Sequence, residues 1–160
     1  MADQIRVNDS QLSWGSIRLM INGETYSGFT SISYADKRER VKAYGMGRHH
    51  APRGRSSGKY STEPVKLVGW KSSVAAARDA LVRLAPDGRS YGSVLFYIVV
   101  FYSELSEPNQ DIQISDCVWV GSASSEEESP DPLKEEVEID CMSIRRNGST
   151  LFDSSGEVPV

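Results

Sequence analysis

Hydrophobic positions recur with a period of two along most of this chain, and one stretch changes to the helical period. Residues 16–22, SIRLMIN, alternate Ile17, Leu19 and Ile21 against Ser16, Arg18, Met20 and Asn22, the pattern of a half-buried strand. Asn22-Gly23 follows at once, and because both residues tolerate positive φ the pair predicts a tight antiparallel hairpin to a strand beginning near Thr25. That strand, TYSGFTSISYADKRERVKAY, sets Thr30, Ile32 and Tyr34 on one face and then turns charged from Asp36 to Lys42. Its distal part cannot lie on the core of a monomer, so it is predicted to project as an arm. After a glycine-rich segment at 45–61, STEPVKLVGWKS reads as a strand with Val65, Leu67 and Gly69 alternating with Lys66, Val68 and Trp70.

The period then changes. SSVAAARDALVRLAPDG places Val74, Ala77, Leu81 and Leu84 at helical spacing, with Ser72 or Ser73 at an N-cap position and Pro86 and Gly88 beyond the end. A helix near 73–85 is predicted, with Arg78, Asp79 and Arg83 toward its polar side. SVLFYIVVFYSEL, residues 93–105, is apolar on both faces and predicts a strand covered on both sides, by the helix on one and by a second sheet or a neighbouring subunit on the other. DIQISDCVWVG alternates Ile112, Ile114, Val118 and Val120 against Gln113, Ser115, Cys117 and Trp119, and EVEIDCMSI alternates Val137, Ile139 and Cys141 against Glu138, Asp140 and Met142. By that parity Cys117 and Cys141 point to different sides, and both are expected to be free thiols. RRNGSTLF carries a second Asn-Gly turn. The expected fold is mainly β: two packed antiparallel sheets, a sandwich or barrel, with one flanking helix and a long projecting loop at 45–61. Residues 1–160 are expected to form one domain, with 1–14 an N-terminal arm and 154–160 a tail.

Charge sharpens this picture. The 160 residues carry a net charge of −4, yet residues 1–71 hold 12 basic against 6 acidic side chains and residues 72–160 hold 6 against 16. Halves of opposite sign favour contact of the chain with itself or with a second copy. The stretch GMGRHHAPRGRSSGKYS, residues 45–61, contains Arg48, Arg53, Arg55 and Lys59 and no acid. The acidic loop SSEEESPDPLKEE, with Glu126, Glu127 and Glu128, is either an ordinary solvated loop or the partner of that basic stretch. No run of 18 apolar residues is present, so no membrane insertion is expected, and the first residues lack the pattern of a secretory signal.

Candidate chemistry is sparse. His49 and His50 are adjacent, and adjacent side chains on an extended chain point apart, which suits neither a metal site nor a catalytic dyad. GMGRHHAPRGRSSG has a Gly-x-Gly but opens no helix, so it is not a dinucleotide loop. Neither an enzyme nor a cofactor is implied. The basic stretch leaves three readings open: phosphate contacts with Tyr44 and Tyr60 available for stacking, a solvated loop, or a protein contact. A sequence pI near 5.2 counts against a dedicated nucleic-acid binder.

The order of elements resembles the major tail tube proteins of tailed bacteriophages. The likeness lies in INGETYSGFTSISYADKRERVKAYGMGRHHAPRGRSSGKYSTEPVKL, where an Asn-Gly hairpin leads to a charged strand, a Gly/Arg/Pro loop and a returning strand before a short helix, and in the closing MSIRRNGSTLF. The resemblance implies a structural virion protein of two β-sheets with one flanking helix, whose copies form hexameric rings that stack into a tube for genome passage. The tube of type VI secretion and those of contractile bacteriocins are similar in architecture. It further implies partners among other tail proteins (sheath if the tail contracts, baseplate, terminator, tape measure), DNA only in transit, and a place in the virion tail after assembly in the host cytoplasm. The loop bearing Arg48, His49, His50, Arg53, Arg55 and Lys59 would reach an adjacent subunit or ring. Glu138 and Asp140 are the expected acidic lining of the lumen. The alternative function is nucleic-acid binding through the basic loop 45–61.

Overall fold

The computed structural model describes residues 14, 17–45, 52–56, 58–104 and 107–151. The expected β-rich fold with one helix is what the chain adopts. Strand β1 (Ile17–Ile21) pairs antiparallel with β2 (Glu24–Tyr26), Ile21 opposite Glu24, across Asn22 (φ 52°) and Gly23 (φ 88°). Two positive φ angles in succession are what a two-residue hairpin turn requires, and Asn-Gly supplies both at little steric cost. The second Asn-Gly does the same at Asn147 (φ 53°) and Gly148 (φ 79°), joining two short strands near the C-terminus.

The strand expected to run unbroken from Thr25 is split at Ser27 and Gly28, and β3 spans Phe29–Glu39. This break carries the chain from one edge of the sheet to the other. Gly28 lies under the start of the helix, its carbonyl accepting the Trp70 N–H at 2.9 Å, and a Cβ there would stand 1.6 Å from Ser73 Oγ and 2.6 Å from Ser73 Cβ. Only glycine permits that approach. Beyond β3 come β4 (Lys42–Tyr44) and β5 (Pro52–Arg55), a separate two-stranded ribbon, and then β6 (Lys59–Trp70), which pairs with β3 from Glu39↔Lys59 to Phe29↔Gly69. Within the stretch 45–61, expected as loop, residues 52–55 and 59–61 are strand. An extra residue on β6 at the register break between Glu63 and Lys66 accommodates Pro64, which has no N–H to give to a ladder.

Helix α1 (Lys71–Leu84) follows β6 without a break and buries Val74, Ala77 and Leu81. Its N-cap is Trp70, with no side-chain cap, rather than Ser72 or Ser73, because the chain passes straight from strand to helix. Leu84, expected on the apolar stripe, is 55% exposed, and Arg78, expected in solvent, is half-buried. The remaining strands are β7 (Phe96–Glu104), β8 (Glu107–Ala123), β9 (Lys134–Asp140), β10 (Ser143–Arg146) and β11 (Ser149–Thr150). The main sheet runs β2-β1-β7-β8-β9-β6-β3, with β10 and β11 continuing the β9 side of β8.

A single corner gives this sheet its shape. Strand β8 pairs with β7 and β10 through its first half and with β9 through its second, bending at Asp116 (φ 54°). Its inward residues are Ile112 and Ile114 before the bend and Cys117 and Trp119 after it, while Val120 is exposed. The expected parity, which set Cys117 and Trp119 with the polar residues, is thus overturned, because one residue in αL geometry flips the face of everything that follows. The partner strand bends at the same place: Cys141 and Ile144 are both buried with the exposed Met142 between them. The two halves of the sheet fold over one core that includes Leu19, Val65, Leu67, Ile98, Val100, Ile114, Val137, Ile139 and Ile144, and α1 contributes to the same cluster. No ladder joins β2 to β3 among the described residues, so the curl is not a closed barrel.

Candidate functional site

The features that can carry function are surfaces. The first is the arm formed by the β3–β6 hairpin and the β4–β5 ribbon. Its root is held by a buried clamp: the Asp36 side chain, 4% exposed, accepts Arg146 Nη1 at 2.8 Å and the Tyr60 hydroxyl at 3.1 Å. Tyr60 in turn accepts the Ile144 N–H at 3.2 Å, so its hydroxyl bridges β6 to β10 where no backbone ladder runs. Beside it Tyr34 and Tyr102 share a 2.9 Å hydrogen bond, and the Arg146 guanidinium lies 5.8 Å from the Tyr34 ring centre. Burial first, and then the contact with Tyr102, holds the Tyr34 hydroxyl well above the ordinary tyrosine range.

Sequence reasoning placed Asp36 in the solvated arm. Its parity with Thr30, Ile32 and Tyr34 was the signal that could have placed it inside, since all four are at least half-buried. The second missed cluster lies at the helix: Arg78 Nη2 meets Glu135 Oε1 at 2.8 Å, and its guanidinium sits 5.5 Å from the ring centres of both Tyr91 and Trp119. It fastens α1 to β9 and to the bend of β8.

Of the basic residues expected to make contacts, Arg55 ends β5 and Lys59 begins β6, both exposed, and Arg53 lies within β5. Arg48, His49 and His50 lie outside the described residues. Tyr44 is exposed, but Tyr60 is engaged in the clamp and is not free to stack on a base. The acidic loop is placed at the start of the helix, where Glu126 pairs with Lys71; Glu127 and Glu128 are exposed. Among the described residues no ion pair joins Arg55 or Lys59 to this loop.

The two outward faces of the sheet differ in chemistry. On β9, Glu136, Glu138 and Asp140 all face away from the core, with Lys66 opposite Glu138 on β6. On the other half, Leu95 (67% exposed) and Tyr97 (46%) point outward, with Val99, Phe101 and Met20 half-buried on the same side. The helix, expected over one face of β7, joins the core on the inward side with Phe96, Ile98 and Val100 and packs closest on β6, β9 and the short turn at Tyr91–Ser93. One side of the doubly apolar strand is core and the other is open in the single chain.

No protein-family description matches this sequence, and no curated protein matches it. Solved structures do match in fold. The chain aligns over 88% of its length, and 99% of the other's, with a chain of the sheath/tube terminator of the PVC extracellular contractile injection system (TM-score 0.65, 9% identity). It aligns over 92% of its length, and 98% of the other's, with a chain of the anti-feeding prophage baseplate (TM-score 0.58, 14% identity). Hcp1 from Flavobacterium johnsoniae aligns over 86% of this chain and 98% of its own (TM-score 0.53, 13% identity). The fold is therefore that of chains found in contractile injection assemblies and of Hcp1, and the resemblance to tail tube proteins holds at the level of fold.

Proposed function

We propose that this chain is a structural subunit of the tube of a contractile, tail-like machine. Six copies form a ring and rings stack into a tube, the tail tube of a phage giving passage to the genome, assembled in the host cytoplasm and working in the virion tail. The observation that carries this is the fold shared over nearly the whole chain with components of sheath–tube assemblies. The open surfaces fit. An uncovered stripe of Leu95 and Tyr97 on a strand whose other face is core is a contact awaiting a neighbour. Among the described residues β3, 11 residues long, is the end strand of the sheet, an aggregation liability that closure into a ring removes. The Glu136, Glu138 and Asp140 strip is suited to a lumen, because like charge keeps a polyanion from adhering.

In this arrangement Arg48, Arg53, Arg55 and Lys59 on the arm contact acidic groups of an adjacent copy, with Glu127 and Glu128 as available partners. No catalysis and no cofactor are involved, and the sheath, baseplate and terminator are its other partners. Negative-stain microscopy of the purified protein tests the assignment: rings or tubes of uniform diameter, unaffected by nuclease, are expected. A monodisperse monomer that retards DNA in a gel, with binding lost steeply on adding salt, would instead establish nucleic-acid binding through the arm. Replacing the arm cations by Glu is expected to shorten or abolish tubes while leaving the circular dichroism spectrum of the subunit unchanged; tubes of unaltered length would remove the arm from the interface.

A further inference from the structure

We propose that Cys117 and Cys141 are an oxidation site, a dithiol set across one strand pair that closes to an internal disulfide when the protein meets a small oxidant. The register places them. Val118 stands opposite Asp140 on one side of the corner and Ser115 opposite Ser143 on the other, and the residue numbers of each pair have the same total. The two strands therefore bend in step, and Cys117 and Cys141 are set against each other on the buried side of the corner, between the last pair of one ladder and the first of the other. Both side chains are in the core, 0% and 2% exposed. Residues directly opposed in an antiparallel pair have Cα atoms about 4.5–5.5 Å apart, inside the span a disulfide bridges. Burial first, and next the charge of Cys141, pushes the Cys117 thiol up to about 12.

Both are free thiols as the chain stands, and Cys117 Sγ–H donates to the Ile114 carbonyl at 3.4 Å. Burial and a raised pKa make them slow to react until the corner opens. On opening, one thiolate adds to a diazene N=N bond, and the second attacks the sulfur of that adduct and expels a hydrazine. The two cysteines lose two electrons and two protons, and the diazene gains both. The bond closes a loop of roughly 25 residues that contains the acidic stretch, and it ties the two strands at the point where one half of the sheet passes into the other. If the chain works outside a cell, as the tube assignment holds, the reduced form suits synthesis and the bridged form suits the oxidising exterior. The chemistry itself does not depend on that assignment.

The test uses the full chain with diamide as the diazene. Protein is treated in urea below its unfolding transition, quenched by alkylation in strong denaturant, and weighed. A monomer about 2 Da lighter, carrying no alkyl group and yielding a peptide that joins Cys117 to Cys141, is expected. Its thermal midpoint should lie roughly 5–10 °C above that of the reduced protein. Recovery of two alkylated cysteines after treatment, or of disulfides only between chains, would overturn the site. A protein that forms no rings yet closes this bond would leave the site standing and remove only its extracellular setting.

Discussion

Replacing Arg146 by Ala strips the cation from a carboxylate that has almost no access to water. Asp36 would keep the Tyr60 hydroxyl at 3.1 Å but lose the 2.8 Å charge-assisted bond. Removing one partner of a fully buried ion pair costs about 3–5 kcal/mol, while a single hydrogen bond to a charged group contributes about 1.5–3 kcal/mol. The Arg146 side chain is itself 45% exposed, so water can enter the space it vacates, and the lower scale applies. The expected loss is about 2 kcal/mol, or about 4–8 °C in thermal midpoint for a domain of this size. Asp36→Asn combined with Arg146→Ala leaves no buried charge, so the double variant should be more stable than the sum of the two single losses predicts, by about 1 kcal/mol. Urea unfolding followed by circular dichroism measures all four proteins. If Arg146→Ala lies within about 0.5 kcal/mol of the parent, or the cycle is additive, Asp36 is not the buried anchor of the arm.

Three further outcomes are expected. Gly28→Ala drives a Cβ into Ser73, whose Cβ cannot rotate away, and should lower stability by about 1–3 kcal/mol in urea unfolding, with partial recovery when Ser73 is also changed to Gly; a neutral Gly28→Ala would mean that the crossing does not lie under the helix. Cys117, Cys141, Tyr34 and Tyr60 are all acids held above their ordinary values by burial, so the folded chain keeps protons that the unfolded chain releases. Stability should then be intact below the unfolded thiol value of about 8.5 and fall as pH rises from there toward about 12, and a urea midpoint unchanged between pH 7 and 10.5 would contradict that burial. Leu95→Ser with Tyr97→Ser should leave the unfolding curve nearly unmoved, since both side chains already meet water, yet prevent ring formation in micrographs; normal rings would show that this face is not an interface.

Legibility followed the range of the interactions. Both Asn-Gly hairpins, the inward set of β9 and the buried Val74, Ala77 and Leu81 of the helix were readable, because each depends on residues within a turn or two along the chain. The clamp was not, since Asp36 and Arg146 are 110 residues apart and nothing local distinguishes an anchoring aspartate from one in a solvated arm. The phase change at Asp116 was also hidden. An isolated aspartate tolerates αL geometry without demanding it, so alternation carried through the bend gave the wrong face to Cys117 and Trp119. Of the proposed contact surface, the basic arm and the acidic β9 strip could be named from residue types, whereas the bare face of β7 required knowing where the helix packs.

By itself the amino-acid order determined the period of each segment, its turns and the separation of charge into a basic first half and an acidic second half, all of which are local or additive properties of the chain. The tertiary structure alone decided which side of a doubly apolar strand is core and which is open, that both thiols are buried at one corner, and that the charged arm is anchored by an ion pair to a buried aspartate. Those outcomes depend on how two strands turn one corner together, a choice made by packing across the whole sheet rather than by any residue's own preference.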